Sequence, residues 1–217
     1  MLVESSIEQK NVIEELCNNN NVIVDSVAGS GKTTCNLHIA KHFPDKQLLL
    51  LTFSAKLKLE TKTKKDKYIL SNIEVQTYHS FCLKYYDELT RTDTEIANIV
   101  KFNKPRKKSF KYDIIILDEA QDMSNLYFQL VQKLYNDNKN DLVQFVVMGD
   151  KKQSIFQFNG ADERFIQFAD SIFNFNDKPW KQCKLSQSFR ITNEMSNFLN
   201  NCIFNKAATV VLVIYIY

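Results

Sequence analysis

Residues 28–34 read Ala-Gly-Ser-Gly-Lys-Thr-Thr, and this stretch decides the fold. The apolar run before it, residues 21–25, predicts a short buried strand, and residues 33–42 predict a helix that ends before Pro44. Glycines between a strand and a helix let backbone N–H groups turn toward a phosphate, and the helix N-terminus adds the positive end of its dipole. The pattern therefore predicts a phosphate-binding loop.

Two side chains at the start of the predicted helix carry the chemistry of such a loop. Lys32 is expected to reach the β- and γ-phosphates of a nucleotide, and the Thr33 hydroxyl is expected to hold Mg²⁺. The loop departs from the general G-x-x-x-x-G-K-T pattern, because Ser26 stands at the first glycine. The alternative is a glycine-rich turn that happens to precede Lys-Thr, but strand, loop and helix all fall where the motif requires them.

A second stretch, residues 118–122, reads Asp-Glu-Ala-Gln-Asp and follows an apolar run, residues 113–117. Such a run is typical of a strand buried on both faces of a parallel sheet, and ligands bind at the carboxyl ends of these strands. Asp118 can hold Mg²⁺, usually through water, and Glu119 can polarise the attacking water. Loop and acidic stretch together predict a Mg²⁺-dependent nucleoside triphosphatase.

A structural alternative exists for the acidic stretch. Its carboxylates can be solvated groups that cap a helix starting near Ser124, and Asp122 is expected to contribute to that cap. The phosphate loop upstream favours the catalytic interpretation for Asp118 and Glu119.

A series of ordered segments resembles motifs of the UvrD/Rep/PcrA-type helicases of superfamily 1. Beyond the two stretches above, they are residues 6–10 (Ser-Ile-Glu-Gln-Lys), 52–56 (Thr-Phe-Ser-Ala-Lys), 77–81 (Thr-Tyr-His-Ser-Phe), 153–161 (Gln-Ser-Ile-Phe-Gln-Phe-Asn-Gly-Ala) and 185–190 (Leu-Ser-Gln-Ser-Phe-Arg). The last segment is most similar to that of the F-box DNA helicase branch. The resemblance runs from about residue 6 to residue 205.

The resemblance implies how ATP and Mg²⁺ are bound. Gln9 reads the adenine edge, and Phe189 stacks on adenine. Residues implied to contact the nucleotide are Gln9, Ala28, Gly29, Ser30, Gly31, Lys32, Thr33, Thr34, Phe189 and Arg190, with Thr33 and Asp118 at the metal. Catalysis is implied for Glu119, Lys32, Gln153 and Arg190, because Gln153 senses the γ-phosphate and Arg190 touches it. Two alternatives stay open: Gln9 also fits a capping box headed by Ser6, and Arg190 also fits a plain surface position.

The same resemblance implies contacts with single-stranded DNA from Phe53, Lys56, Tyr78, His79 and Phe158. A base stacked on an aromatic ring is worth roughly 1–3 kcal/mol whatever its sequence. Phe158 stands where the family has tryptophan, and Asn159 stands where it usually has arginine, which predicts a weaker DNA contact. The alternative for the aromatic rings is core packing, and for His79 it is a cap on its own helix.

Charge and cysteine content indicate less about function than the motifs do. The net charge of +3, from 28 basic and 25 acidic residues, is too small to indicate nucleic-acid binding by itself. Lysine-rich runs at residues 56–67 and 101–111 either contact phosphates or form solvated faces. Five cysteines without a C-x-x-C pair lie in apolar stretches, which predicts reduced, buried thiols in an intracellular protein. No signal peptide or membrane span is predicted.

Length and composition predict one α/β domain. Strands are expected near residues 21–25, 47–52, 73–76, 113–117, 142–149 and 181–186. Because they alternate with helices, they predict a RecA-like P-loop NTPase with a central parallel sheet flanked by helices. The domain is expected over residues 1–205, with a strongly reduced inserted subdomain at about 87–111, a helix near 193–204 and an atypical apolar tail, 206–217.

The family's second RecA-like domain has no counterpart after Arg190, so the sequence resembles the N-terminal half of a motor. One hypothesis is a DNA helicase-family protein of repair or recombination that couples Mg-ATP hydrolysis to binding and unwinding of single-stranded DNA or a single-strand/duplex junction. It expects the other half in trans or by self-association. The other hypothesis is an ATP- and DNA-binding module with negligible turnover. A phosphate-loop kinase does not explain residues 153–161.

Overall fold

The computed structural model describes residues 2–138, 140, 142–151 and 162–189. Several sequence predictions lie outside these residues: Gln153, Phe158, Arg190, the helix near 193–204 and the tail 206–217. They stay predictions from sequence.

Six strands form one sheet in the order β3-β2-β4-β5-β1-β6, and every pair of neighbours is parallel. The strands are β1 Asn21–Ser26, β2 Leu48–Thr52, β3 Ile73–Thr77, β4 Ile114–Leu117, β5 Gln144–Gly149 and β6 Trp180–Leu185. The predicted parallel sheet is confirmed, and each strand bound lies within two residues of its predicted place.

Helices cover both faces of the sheet. They are α1 Ile7–Cys17, α2 Lys32–His42, α3 Ala55–Lys67, α4 Tyr78–Tyr85, α5 Asp93–Lys101, α6 Asn125–Asn138, α7 Arg164–Gln167 and α8 Ala169–Ile172, with a 3-10 turn at Ala120–Asp122. Within the described part of the chain, no helix combines the length and the apolar character needed to cross a membrane.

The strands are apolar throughout because both of their faces are covered. Alternate side chains point to opposite sides: Leu48 and Leu50 pack with α1 and α2, whereas Leu49 and Leu51 pack with α4, α5 and α6. β4 shows the consequence most clearly, since all four of its side chains are fully buried. These two cores fix the strand ends that carry the site.

The predicted insert, residues 87–111, contains the single helix α5. Thr92 and Glu95 form a capping box at its start, and Ile96 and Ile99 are fully buried in the same core as α6. The segment therefore packs onto the main domain.

The cysteines partly follow expectation. Cys35, Cys82 and Cys183 are buried and free, and burial raises the pKa of the Cys35 and Cys82 thiols to about 12 each. The prediction of burial is wrong for Cys17, which is exposed with its Sγ 3.4 Å from His42 Nε2. Cys17 is the last residue of α1, and the two residues that follow it are exposed as well.

Candidate nucleotide and metal site

The strand ends place the predicted site residues together. β4, β5, β1 and β6 are consecutive neighbours in the sheet, and all run in the same direction. The glycine loop follows β1, and the acidic stretch 118–122 follows β4. Both therefore lie at the carboxyl edge of the sheet, where open α/β sheets bind ligands.

The loop has the backbone conformation that its glycines allow. Gly29 and Gly31 have φ angles of 75° and 84°, in the left-handed region that other residues adopt only with strain. Gly31 is also close-packed, since a Cβ there would lie 3.1 Å from Gln9 Nε2. The buried Ser30 hydroxyl has no hydrogen-bond partner, and no side chain caps the start of α2. These groups fit an anion as their acceptor.

Lys32 and Glu119 meet in this site. Lys32 Nζ lies 3.3 Å from Glu119 Oε2, and the two side chains are only 12% and 23% exposed. The phosphate loop and the acidic stretch therefore form one site, as the sequence predicts for these residues.

Glu119 is held in an unusual conformation. Its φ of 55° and ψ of 46° are left-handed, which costs a non-glycine residue about 1–2 kcal/mol. Gln121 Nε2 donates to Glu119 Oε2 over 2.8 Å, and the side-chain oxygen of Gln121, Oε1, accepts from the Asp150 N–H over 3.1 Å. The buried Gln121 thus ties the Glu119 carboxylate to the end of β5, a role that no sequence pattern indicated.

The other carboxylates are poised for a cation. Burial, reinforced by the nearby Glu119 carboxylate and opposed by Lys32, raises the pKa of Asp118 to about 7. The same causes raise the pKa of Asp122 to about 6, and its buried Oδ1 has no hydrogen-bond partner. Hard oxygen donors with perturbed pKa values are what a Mg²⁺ site offers, so the residues fit the metal.

The prediction that Asp122 caps the following helix is wrong. Asp122 belongs to the 3-10 turn, and its buried Oδ1 has no hydrogen-bond partner. Ser124 stands before α6 instead, and its Oγ accepts a long, 3.4 Å hydrogen bond from the Tyr127 N–H.

Ser26 explains the missing first glycine. Its side chain is 1% exposed, and its hydroxyl donates to the Gly149 carbonyl oxygen over 2.9 Å. The hydroxyl therefore ties β1 to β5 directly beneath the loop, a bond that glycine cannot make.

The predicted adenine residues lie beside the loop. Gln9 completes the capping box of α1, since its Oε1 accepts from the Ser6 N–H, and its Nε2 donates to the Gly31 carbonyl over 3.3 Å. Phe189 is 43% exposed, and its N–H donates to the Gly29 carbonyl over 2.9 Å. The capping box is thus confirmed, and the structure brings both Gln9 and Phe189 against Gly31.

Glu8 is a contact that sequence reasoning missed. Its carboxylate accepts from the Ser186 N–H over 2.8 Å, from the Gln187 N–H over 3.4 Å and from the Ser186 hydroxyl. Glu8 therefore fixes α1 to the chain leaving β6. Partners 178 residues apart give no local signal.

Of the predicted DNA-contacting aromatic residues, Tyr78 is in the core. It is 1% exposed and stacks on Tyr127 with ring centroids 4.6 Å apart, so its ring is inaccessible to a base in this structure. Phe53 is half-buried, with its ring centroid 4.9 Å from that of Tyr78, and Lys56 is exposed. The core-packing alternative therefore describes Tyr78, whereas part of Phe53 reaches the surface.

His79 does not cap its helix. Its Nε2 lies 3.0 Å from Asp93 Oδ1, whereas Thr77 and Ser80 form the capping box of α4. Tyr127 also donates to Asp93 over 2.6 Å. The imidazole is held at the start of α5 and is about one third exposed.

Comparison with known proteins gives the family. A family model described as an AAA domain matches residues 9–159, which is more than half of the sequence. The chain belongs to this AAA domain family.

Three individual proteins are similar to this chain over part of their length. RecBCD enzyme subunit RecB from Haemophilus influenzae is 28% identical over 94 residues, 42% of this chain and 7% of that protein. F-box DNA helicase protein 1 from Schizosaccharomyces pombe is 33% identical over 91 residues, 42% of this chain and 9% of that protein. The crystal structure of Pif1 helicase from Candida albicans has a TM-score of 0.58 and 17% identity, with 92% of this chain and 44% of that chain covered.

The family match and these relatives confirm the predicted resemblance to superfamily 1 helicases. The Pif1 likeness confirms the RecA-like fold. The chain spans less than a tenth of the two relatives and under half of the Pif1 chain.

Proposed function

We propose that this domain binds Mg-ATP and hydrolyses it in response to single-stranded DNA. One observation carries the proposal. Lys32 of the glycine loop, the buried Asp118 and the restrained Glu119 converge at the carboxyl edge of the sheet, with 3.3 Å between Lys32 Nζ and Glu119 Oε2. A cation for phosphates, a carboxylate for a metal and a base for water are the parts that phosphoryl transfer to water needs.

Each group has a role in this proposal. The loop N–H groups and Lys32 bind the β- and γ-phosphates, and Gln9 and Phe189 receive the adenine. Thr33 and Asp118 hold Mg²⁺, which neutralises phosphate charge when bound. Glu119 orients the attacking water and accepts its proton, and Gln121 holds the Glu119 carboxylate in place.

In this proposal, ATP binding activates the site by breaking the ion pair between Lys32 and Glu119. Under the same proposal, the γ-phosphate competes with Glu119 for the Lys32 ammonium and so frees the carboxylate for water. Arg190 and Gln153 complete the site in this proposal, as the resemblance implies.

DNA is the proposed partner. Lys56, His79 and the exposed part of Phe53 follow β2 and β3, so they lie along the same carboxyl edge as the nucleotide site. The proposal adds Phe158 from sequence. Unwinding requires a second motor domain, in trans or by self-association, in an intracellular protein of DNA repair or recombination.

The test is ATP hydrolysis by the 217-residue chain with and without an oligothymidylate, beside Glu119→Gln. We expect DNA-stimulated turnover in the wild type. Glu119→Gln should bind ATP normally and lose about 100-fold or more of its turnover, the usual contribution of a general base. Equal hydrolysis by both proteins would exclude Glu119 as the base. Tight Mg-ATP binding without turnover in the wild type would instead support a binding module.

A further inference from the structure

A polar groove lies beside the edge strand β3, away from the nucleotide site. Its volume is about 350 Å³, and its floor includes Ile73 and Gln76 of that strand. The charged residues that line it are four lysines and one carboxylate: Lys58, Lys62, Lys65, Lys84 and Glu74. The groove thus carries more positive than negative side chains.

Helical spacing explains the cluster. Lys58, Lys62 and Lys65 stand at positions i, i+4 and i+7 of α3, so they share one helix face. A surface helix normally packs an apolar stripe on its sheet, yet Thr61 is the only buried residue of α3. Lysines occupy the face that turns toward β3.

The hydrogen bonds of the groove lysines of α3 all go to neutral groups. Lys58 Nζ donates to Gln76 Oε1 and to Ser80 Oγ, both over 2.8 Å, and Lys65 Nζ donates to the Ile73 carbonyl over 2.7 Å. In the described part of the chain, none of the three α3 lysines forms an ion pair.

The groove's one carboxylate is already satisfied. Glu74 accepts from Lys84 over 2.7 Å, from the Tyr85 hydroxyl over 2.8 Å and from the Tyr112 hydroxyl over 2.9 Å. Lys84 balances its charge, which leaves the three α3 lysines uncompensated.

The pKa of Lys58 agrees with this excess of positive charge in the groove. Burial and the neighbouring Lys62 lower the pKa of Lys58, and Glu74 opposes the change only partly. The second basic run differs in one respect, because Lys104 forms an ion pair with Asp87 over 2.8 Å. The α3 cluster forms a groove of lysines that an anion would stabilise.

We propose that this groove binds phosphodiester groups of a single-stranded nucleic acid, beyond the contacts that the helicase motifs supply. Ser80, which belongs to the 77–81 segment, is hydrogen-bonded to Lys58, so the groove continues the proposed strand path. The inference rests on the proposed function, because its ligand is the same strand.

The test uses two matched double variants of α3. Lys62→Gln/Lys65→Gln removes two groove lysines, and Lys64→Gln/Lys67→Gln removes equal charge from the same helix outside the groove. Binding of fluorescein-labelled oligothymidylate and of an abasic oligodeoxyribose-phosphate strand is measured by anisotropy from about 0.05 to 0.5 M salt. Circular dichroism verifies folding.

Each phosphate contact on a single strand contributes about 0.7 to the slope of log affinity against log salt. The groove variant should therefore lose about 1.4 from that slope and about 25-fold in affinity at 0.1 M salt, for both strands. The control variant should stay within about twofold of wild type, since its lysines make no such contact.

Every other outcome contradicts the proposal that the groove binds a single-stranded nucleic acid. Equal losses in both variants would mean that only overall charge matters. No loss in the groove variant, with the wild type still binding, would refute the groove but leave the proposed function standing. Binding of neither strand by the wild type would refute both. Binding of inorganic tripolyphosphate is measured as well, with Lys32→Ala added to each protein so that the glycine loop does not contribute. If the groove variant weakened only this binding, the groove would bind a small polyphosphate and not a nucleic acid.

Discussion

Gly149 shows how closely the groups behind the catalytic carboxylate are packed. A Cβ at this position would lie 2.5 Å from Gln121 Oε1 and 3.3 Å from the Ala120 backbone nitrogen. Gln121 cannot retreat without giving up its bonds to Glu119 and Asp150. The absence of a side chain at Gly149 is therefore what allows Gln121 to bridge β4 and β5.

We predict that Gly149→Ala lowers the free energy of unfolding by about 1–3 kcal/mol, the usual cost of overpacking. Urea unfolding of the variant against the wild type measures this. Gln121→Ala in the same background should recover part of the loss, because it removes the atom that the new methyl group meets. If Gly149→Ala were as stable as the wild type, Gln121 could not lie where the structure places it.

The buried Asp118 makes stability depend on pH. Its pKa of about 7 lies above that of an unfolded aspartate, about 3.9, so the folded protein keeps a proton that the unfolded chain has lost. Stability therefore falls as pH rises from about 4 to 7, by up to about 1.4 kcal/mol per pH unit, and the loss is complete above pH 7.

Asp118→Asn should remove most of this decline and make the metal-free protein more stable than wild type at pH 8. Thermal unfolding in EDTA at pH 5, 6, 7 and 8 measures it. Asp122→Asn is the control and should remove a smaller decline that ends near pH 6, where the raised pKa of Asp122 lies. A variant Asp118→Asn with the wild-type pH dependence would contradict the burial of this charge.

Among the elements, helix α1 is anchored by one of its side chains to the chain that follows β6. Glu8 is in the first turn of α1, and its carboxylate binds the backbone after β6, where Ser188 and Phe189 then hold the glycine loop. The helix that carries Gln9 and the segment that carries Phe189 are thus joined on the adenine side of the site. Disturbing this joint should affect stability and nucleotide affinity together.

We predict that Glu8→Ala costs about 1–3 kcal/mol of stability, because it removes the acceptor of the half-buried Ser186 and Gln187 N–H groups. ATP affinity should fall severalfold, because Gln9 and Phe189 lose their common support. Glu4→Ala is the matched control: the Glu4 side chain is 88% exposed and its ion pair with Lys10 is on the surface, so its loss should cost under about 1 kcal/mol. Equal stability of the two variants, by urea unfolding, would show that Glu8 is not an anchor.

Elements also show what sequence can predict. All six strands were predictable because an apolar run bounded by polar residues has few other uses in an α/β domain. The loop and Glu119 were predictable because their spacing is local. The Glu8–Ser186 and Gln121–Asp150 bonds were not, since tertiary packing creates them. The Asp122 cap was mispredicted because this residue belongs to the 3-10 turn. For Tyr78 the core-packing alternative describes the structure, because the ring stacks on Tyr127.

At the scale of the whole molecule, the strand order separates two tasks along one edge. β4, β5, β1 and β6 carry the nucleotide residues, whereas β2 and β3, at the other end of the sheet, precede the proposed strand contacts. β4 is hydrogen-bonded to both β2 and β5. A change at the acidic stretch can therefore reach both halves through a single buried strand.

The central claim is that residues 28–34 form the nucleotide site, and calorimetric titration of Mg-ATP into the 217-residue chain tests it most directly. The wild type should bind one nucleotide. Lys32→Ala should lose at least about tenfold in affinity, since a hydrogen bond to a charged group is worth about 1.5–3 kcal/mol. Lys41→Ala, at the exposed far end of α2, should bind as the wild type does. Undiminished binding by Lys32→Ala would place the nucleotide elsewhere and contradict the account.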